Sequence, residues 1–89
     1  MTERSVTLVN EKGLHARAAA RFVDLANRFR CSVEIRLGTM AVDGKSILGI
    51  LTLGAPRGTE LLLVADGPDE SEAVEALASL IAARFGEGR

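Results

Sequence analysis

The single histidine of the chain, His15, stands in the run Gly13-Leu14-His15-Ala16-Arg17. A neutral imidazole is a competent nucleophile near neutral pH. Arg17, two residues on, carries a guanidinium whose donor fork fits phosphate oxygens. The residue pattern changes to a helical period from Ala16, so His15 falls where a loop ends and a helix begins. The first backbone N–H groups of a helix lack internal acceptors, and with the helix dipole they form an anion site. The imidazole Nδ1 lies close to its own backbone, so a group bonded there lies over those donors. A phosphoryl group on this nitrogen is held by a labile P–N bond and needs no metal. The competing reading makes His15 a polar helix cap and Arg17 a solvated charge.

Those two side chains must be positioned by 89 residues, which suffice for a single domain spanning 1–89. Such a chain builds one core. Hydrophobic residues make up 47%, with three Phe and neither Trp nor Tyr, so that core is aliphatic. Eleven basic against twelve acidic residues leave a net charge of −1, which offers no footprint for nucleic acid and no polybasic membrane patch. No stretch approaches a membrane span of about 20 residues, and Met1 to Gly13 has no apolar signal core. A cytoplasmic location is the expectation. Cys31, the one cysteine, reads as a small buried hydrophobe in a reducing compartment. No metal-ligand cluster, phosphate-cradling glycine loop or paired catalytic carboxylates are in view. No cofactor is expected, and the chain reads as a stoichiometric carrier rather than a self-contained enzyme.

The elements alternate in period. Ser5 to Asn10 alternates as a strand, with Val6 and Leu8 on one face. From Ala16, the residues Ala18, Phe22, Leu25, Ala26 and Phe29 form one helical stripe. Ser32 to Leu37 and Met40 to Val42 read as a hairpin through Gly38-Thr39. Ser46 is placed to cap a short helix from Ile47 to about Thr52. Thr59 to Asp66 is apolar on both faces, as a central strand would be. Asp69 and Glu72 are spaced as a capping box. They precede a helix that buries Ala73, Val74, Leu77, Leu80 and Ile81, has Arg84 in its last turn and stops at Gly86. The expected fold is α+β: an open-faced β-sandwich of order β-α-β-β-α-β-α, a four-stranded antiparallel sheet with three helices packed on one face.

The Gly13–Arg17 run resembles the active-site motif of the HPr family, the histidine-containing phosphocarriers of the bacterial phosphotransferase system. A second run, Gly44-Lys45-Ser46-Ile47-Leu48-Gly49-Ile50 followed by Leu53-Gly54, resembles the regulatory-serine segment of the same family. Two motifs at family spacing, together with length and element order, extend the resemblance over the whole chain. It implies that His15 takes a phosphoryl group on Nδ1 from phosphorylated enzyme I, which is charged by phosphoenolpyruvate. Arg17 would bind the phosphoryl oxygens, and enzyme IIA-type proteins would be the acceptors. Ser46 would be phosphorylated by an HPr kinase/phosphorylase in hosts that have one. Ile47, Leu48 and Leu51 would belong to an apolar docking patch. The family usually has proline after the arginine, where this chain has Ala18, a residue the helix tolerates well. A monomer is expected. The alternative reading is a non-catalytic regulatory binding module of the same fold, controlled through Ser46.

Overall fold

Strand-forming alternation and helical stripes both find their partners in the computed structural model, which describes residues 1–88. The strands are β1 (Thr2–Thr7), β2 (Ser32–Leu37), β3 (Met40–Asp43) and β4 (Glu60–Asp66); the helices are α1 (Ala16–Ala26), α2 (Ile47–Thr52) and α3 (Glu70–Ala82). A 3-10 turn over Arg84–Gly86 follows. The sheet is antiparallel throughout and ordered β1-β4-β2-β3. Three helices pack on one face of it, which makes the α+β open-faced sandwich.

The apolar alternation explains the layering. Leu61, Leu63 and Ala65 of β4 pair in register with Val6, Arg4 and Thr2 of β1, and Val33 and Ile35 of β2 face the same side. Against them lie Ala18, Ala19, Phe22 and Val23 from α1, Ile50 from α2, and Ala73, Val74, Leu77 and Ile81 from α3. Fully burying an aliphatic side chain stabilises by about 1.5–3 kcal/mol, so this single cluster carries the fold. Cys31 lies in it, 1% exposed. The open face of the sheet is polar except around Leu62 and Val64. Val64 is nevertheless buried, because Glu3 and Glu34 stand beside it in register and Glu34 pairs with Arg36.

Four details depart from the sequence reading. Strand β1 begins at Thr2 and ends at Thr7, because β4 supplies pairing partners over that span. Leu8 and Asn10 are fully buried just beyond its end. Helix α1 ends at Ala26, so Phe29 packs from a turn and is only half-buried. Asp69 makes no side-chain cap for α3. Its carboxylate turns away and accepts from the backbone N–H groups of Arg30 and Cys31 at 2.8 and 2.9 Å. Those bonds hold it below the usual carboxylate range against the upward push of burial, the Arg30 N–H contributing most. Finally, α3 stops at Ala82. Arg84 therefore lies outside its last turn, and Arg84 and Phe85 both take left-handed backbone angles, φ 58° and 54°.

Candidate functional site

Gly13 builds the approach to the site. Its φ of +64° is a conformation glycine adopts readily and other residues avoid. A Cβ there would stand 2.4 Å from the Ala55 carbonyl oxygen. The close approach is held by the next amide, since Leu14 N–H donates to that same oxygen at 2.9 Å. Leu14 is itself buried. The chain is therefore pinned to the segment after α2, and His15 must emerge at the start of α1.

His15 is the N-cap residue of α1, with extended backbone (φ −86°, ψ 178°). Its carbonyl accepts from Ala19 N–H at 2.9 Å, and its Nδ1 accepts the N–H of Arg17 at 3.3 Å. A backbone N–H can only donate, so this contact favours a lone pair on Nδ1. Ala18, where proline was the expectation from resemblance, is fully buried in an intact first turn. The sequence reading of a helix-terminal imidazole thus agrees with the geometry, and the Arg17 N–H in the first turn of α1 lies beside Nδ1.

On its other side the ring meets a residue that sequence reasoning missed. Nε2 of His15 is hydrogen-bonded to a carboxylate oxygen of Glu87, 72 positions away. The second Glu87 oxygen accepts from Asn10 Nδ2 at 3.0 Å, and that amide also donates to the Gly13 carbonyl at 2.8 Å. Asn10 is fully buried, and its Oδ1 has no hydrogen-bond partner among the described residues. Burial pushes the Glu87 carboxyl up, but the Asn10 amide, His15 and Arg17 together outweigh it and hold it below the usual range. A cavity of about 210 Å³ adjoins this group, lined by Glu11, Lys12, Arg17 and Glu87. Lys12 and Arg17 are the two cations that line this cavity. No group of three or more His, Cys, Asp or Glu among the described residues is arranged to hold a metal ion.

The second motif lies at α2. Ser46 caps that helix, its Oγ accepting Gly49 N–H at 3.1 Å. Within the helix Ile50 is buried, while Ile47, Leu48 and Leu51 are 42%, 77% and 36% exposed. Six residues cannot turn every apolar side chain inward, and the three that face outward are those the sequence analysis assigned to a docking patch. The Leu14–Ala55 bond ties the chain just beyond α2 to the His15 loop. No helix among the described residues is long and apolar enough to cross a membrane.

Comparison with known proteins gives the family. Residues 2–83 match the model of the PTS HPr component phosphorylation site. A relative from Cupriavidus necator named phosphocarrier protein HPr is 48% identical over 88 residues, covering 99% of each chain. The crystal structure of an HPr from Thermoanaerobacter tengcongensis superposes with a TM-score of 0.94 at 42% identity, covering 98% of each chain. A dimeric crystal structure of HPr from that organism matches with a TM-score of 0.78 at 42% identity, over 98% of this chain and 100% of that one. With the histidine-capped helix and the capped serine helix both in place, the chain belongs to the HPr family, the phosphocarriers of the phosphotransferase system.

Proposed function

We propose that residues 1–89 act as one phosphocarrier domain in which His15 accepts a phosphoryl group from phosphorylated enzyme I and donates it to enzyme IIA-type proteins. The observation that carries this reading is the orientation of His15: Nδ1 lies at the N-terminus of α1, with Arg17 N–H pointing at it. The step balances without a co-reactant. The Nδ1 electron pair forms the new N–P bond, the donor's P–N bond breaks, and that pair returns to the donor nitrogen. Arg17 N–H and its neighbours in the first turn then face phosphoryl oxygens in place of a lone pair. The Arg17 side chain, exposed at the cavity mouth, supplies a guanidinium to the same oxygens. Donation to the acceptor runs the same step in reverse.

Partner docking falls to Ile47, Leu48 and Leu51, whose exposure is what a docking surface requires. Ser46 supplies regulation through an HPr kinase/phosphorylase where the host has one. A phosphoryl group there adds about −1.5 to −2 charge at the edge of the apolar patch, and its desolvation opposes docking. The protein works in the cytoplasm as a monomer and uses neither metal nor cofactor. Transfer of label from phosphoenolpyruvate through enzyme I tests the reading. Wild-type protein takes up acid-labile, base-stable label, and His15→Ala takes up none. Absence of label on wild type with a cognate enzyme I would overturn it and favour a regulatory module acting through Ser46.

A further inference from the structure

We propose that Glu87 is a positioning residue for phosphoryl acceptance: its carboxylate, fixed by Asn10, keeps the His15 proton on Nε2 and so leaves Nδ1 as the nucleophile. For its consequence in transfer this rests on the phosphocarrier reading; for the proton on the ring it does not. A neutral imidazole has one proton for two nitrogens, and its neighbours decide where it goes. Arg17 N–H favours a lone pair on Nδ1, but at 3.3 Å it is a weak selector. Glu87 is the strong one. An ionised carboxylate only accepts, so its contact with Nε2 demands a proton there.

The carboxylate cannot easily turn away. Asn10 Nδ2 holds its other oxygen at 3.0 Å and the Gly13 carbonyl at 2.8 Å. Rotating that amide would set Oδ1 against two acceptors, and Asn10 has no exposed surface through which water might compensate. The segment bearing Glu87 is equally constrained. Arg84 and Phe85 adopt left-handed angles that non-glycine residues hold only where the surroundings over-determine them. Phe85 is fully buried, and its carbonyl accepts from Arg21 Nη1 at 2.9 Å. Arg21 belongs to α1, the helix capped by His15, so the segment bearing Glu87 is tied to that helix.

The consequence for transfer is direct. With the proton on Nε2, attack by Nδ1 needs no proton movement at His15. The positive charge that the ring gains as the N–P bond forms lies against Glu87 through that same N–H. With the proton on Nδ1, it must first leave.

The test uses the full chain, Glu87→Gln and Glu87→Ala, read by ¹⁵N NMR of the His15 ring in its neutral form and by the rate of acceptance from phosphorylated enzyme I. Wild type shows the Nε2–H tautomer. A glutamine has one oxygen to share between two donors, and an alanine has none. Both variants are expected to lower the Nε2–H to Nδ1–H ratio about tenfold, with acceptance falling in parallel and the unfolding midpoint marking an intact fold. Wild-type tautomer ratios in both variants would overturn the proposal, as would a shifted tautomer with an unchanged acceptance rate. A wild-type protein that takes no phosphoryl group removes the phosphocarrier reading instead, and the ring spectra still decide whether Glu87 sets the proton.

Discussion

Replacing Gly13 by alanine should cost much more than replacing Gly38, although both glycines have nearly the same backbone angle, φ +64° and +60°. The left-handed penalty for an L-residue, about 1–2 kcal/mol, applies to each. What differs is the space. A Cβ on Gly38 meets nothing within 4 Å, whereas on Gly13 it meets the Ala55 oxygen at 2.4 Å and backbone carbons of Pro56 at 2.8 and 2.9 Å. Backbone cannot swing aside as a side-chain end can. Reaching even 3.0 Å requires a retreat of 0.6 Å, and it pulls Ala55 from its 2.9 Å bond with Leu14 N–H. Overpacking adds about 1–3 kcal/mol, and the lost bond about 0.5–1.5 kcal/mol. Gly13→Ala is therefore expected to be about 2–4 kcal/mol less stable than Gly38→Ala. A domain of this size has about 4–13 kcal/mol in all. Urea unfolding by linear extrapolation measures the difference, and in thermal melts it amounts to roughly 10–30 °C. Two variants equal within about 0.5 kcal/mol would refute the claim that Gly13 is required by the Ala55 contact rather than by its backbone angle alone.

Ser46→Ala removes the Gly49 cap and should cost about 0.5–2 kcal/mol in unfolding experiments, while Ser46→Asp should keep the cap and raise the KM for enzyme I in a phosphoryl-transfer assay. Leu48→Glu, at a side chain 77% exposed, should leave stability within about 0.5 kcal/mol and weaken enzyme I docking at least tenfold by titration calorimetry. Glu70 is held down to about 2 from its usual 4.5, chiefly by the N-terminal ammonium and then by Thr2 and Gly67. A depressed carboxylate contributes stability that is present above its unfolded value and lost as pH falls through its folded one. Stability should thus decline between about pH 4.5 and 2, more weakly in Glu70→Gln, as acid titration by circular dichroism will show.

Local signals carried far where the contacts that set an element are short-range in sequence. His15, its helix and Arg17 lie within one turn of one another, and Ser46 caps a helix three residues from its donor Gly49. The two-sided apolar run Leu61–Ala65 pointed to a central strand, and β4 does lie between β1 and β2. Long-range pairings escaped. Asp69 has the spacing of a capping box, yet the N–H groups of Arg30 and Cys31, nearly 40 positions earlier, offer its carboxylate better partners. Asn10 looked like the polar end of a strand and is instead a fully buried brace. Glu87 reaches His15 through a segment in which Arg84 and Phe85 turn left-handed. Neither residue advertises that conformation, so no reading of the tail by periodicity or capping leads to it. The signal that was present is Phe85 itself, a large apolar side chain beyond the last helix that had to be buried somewhere.

The central claim is that Nδ1 of His15 is the atom that carries phosphorus. Phosphorylate ¹⁵N-histidine-labelled protein with enzyme I and phosphoenolpyruvate, then locate the phosphoryl group from ³¹P and ¹⁵N spectra of the ring. The account predicts phosphorus bonded to Nδ1, with the proton retained on Nε2. Phosphorus on Nε2, or on any residue other than His15, would contradict it.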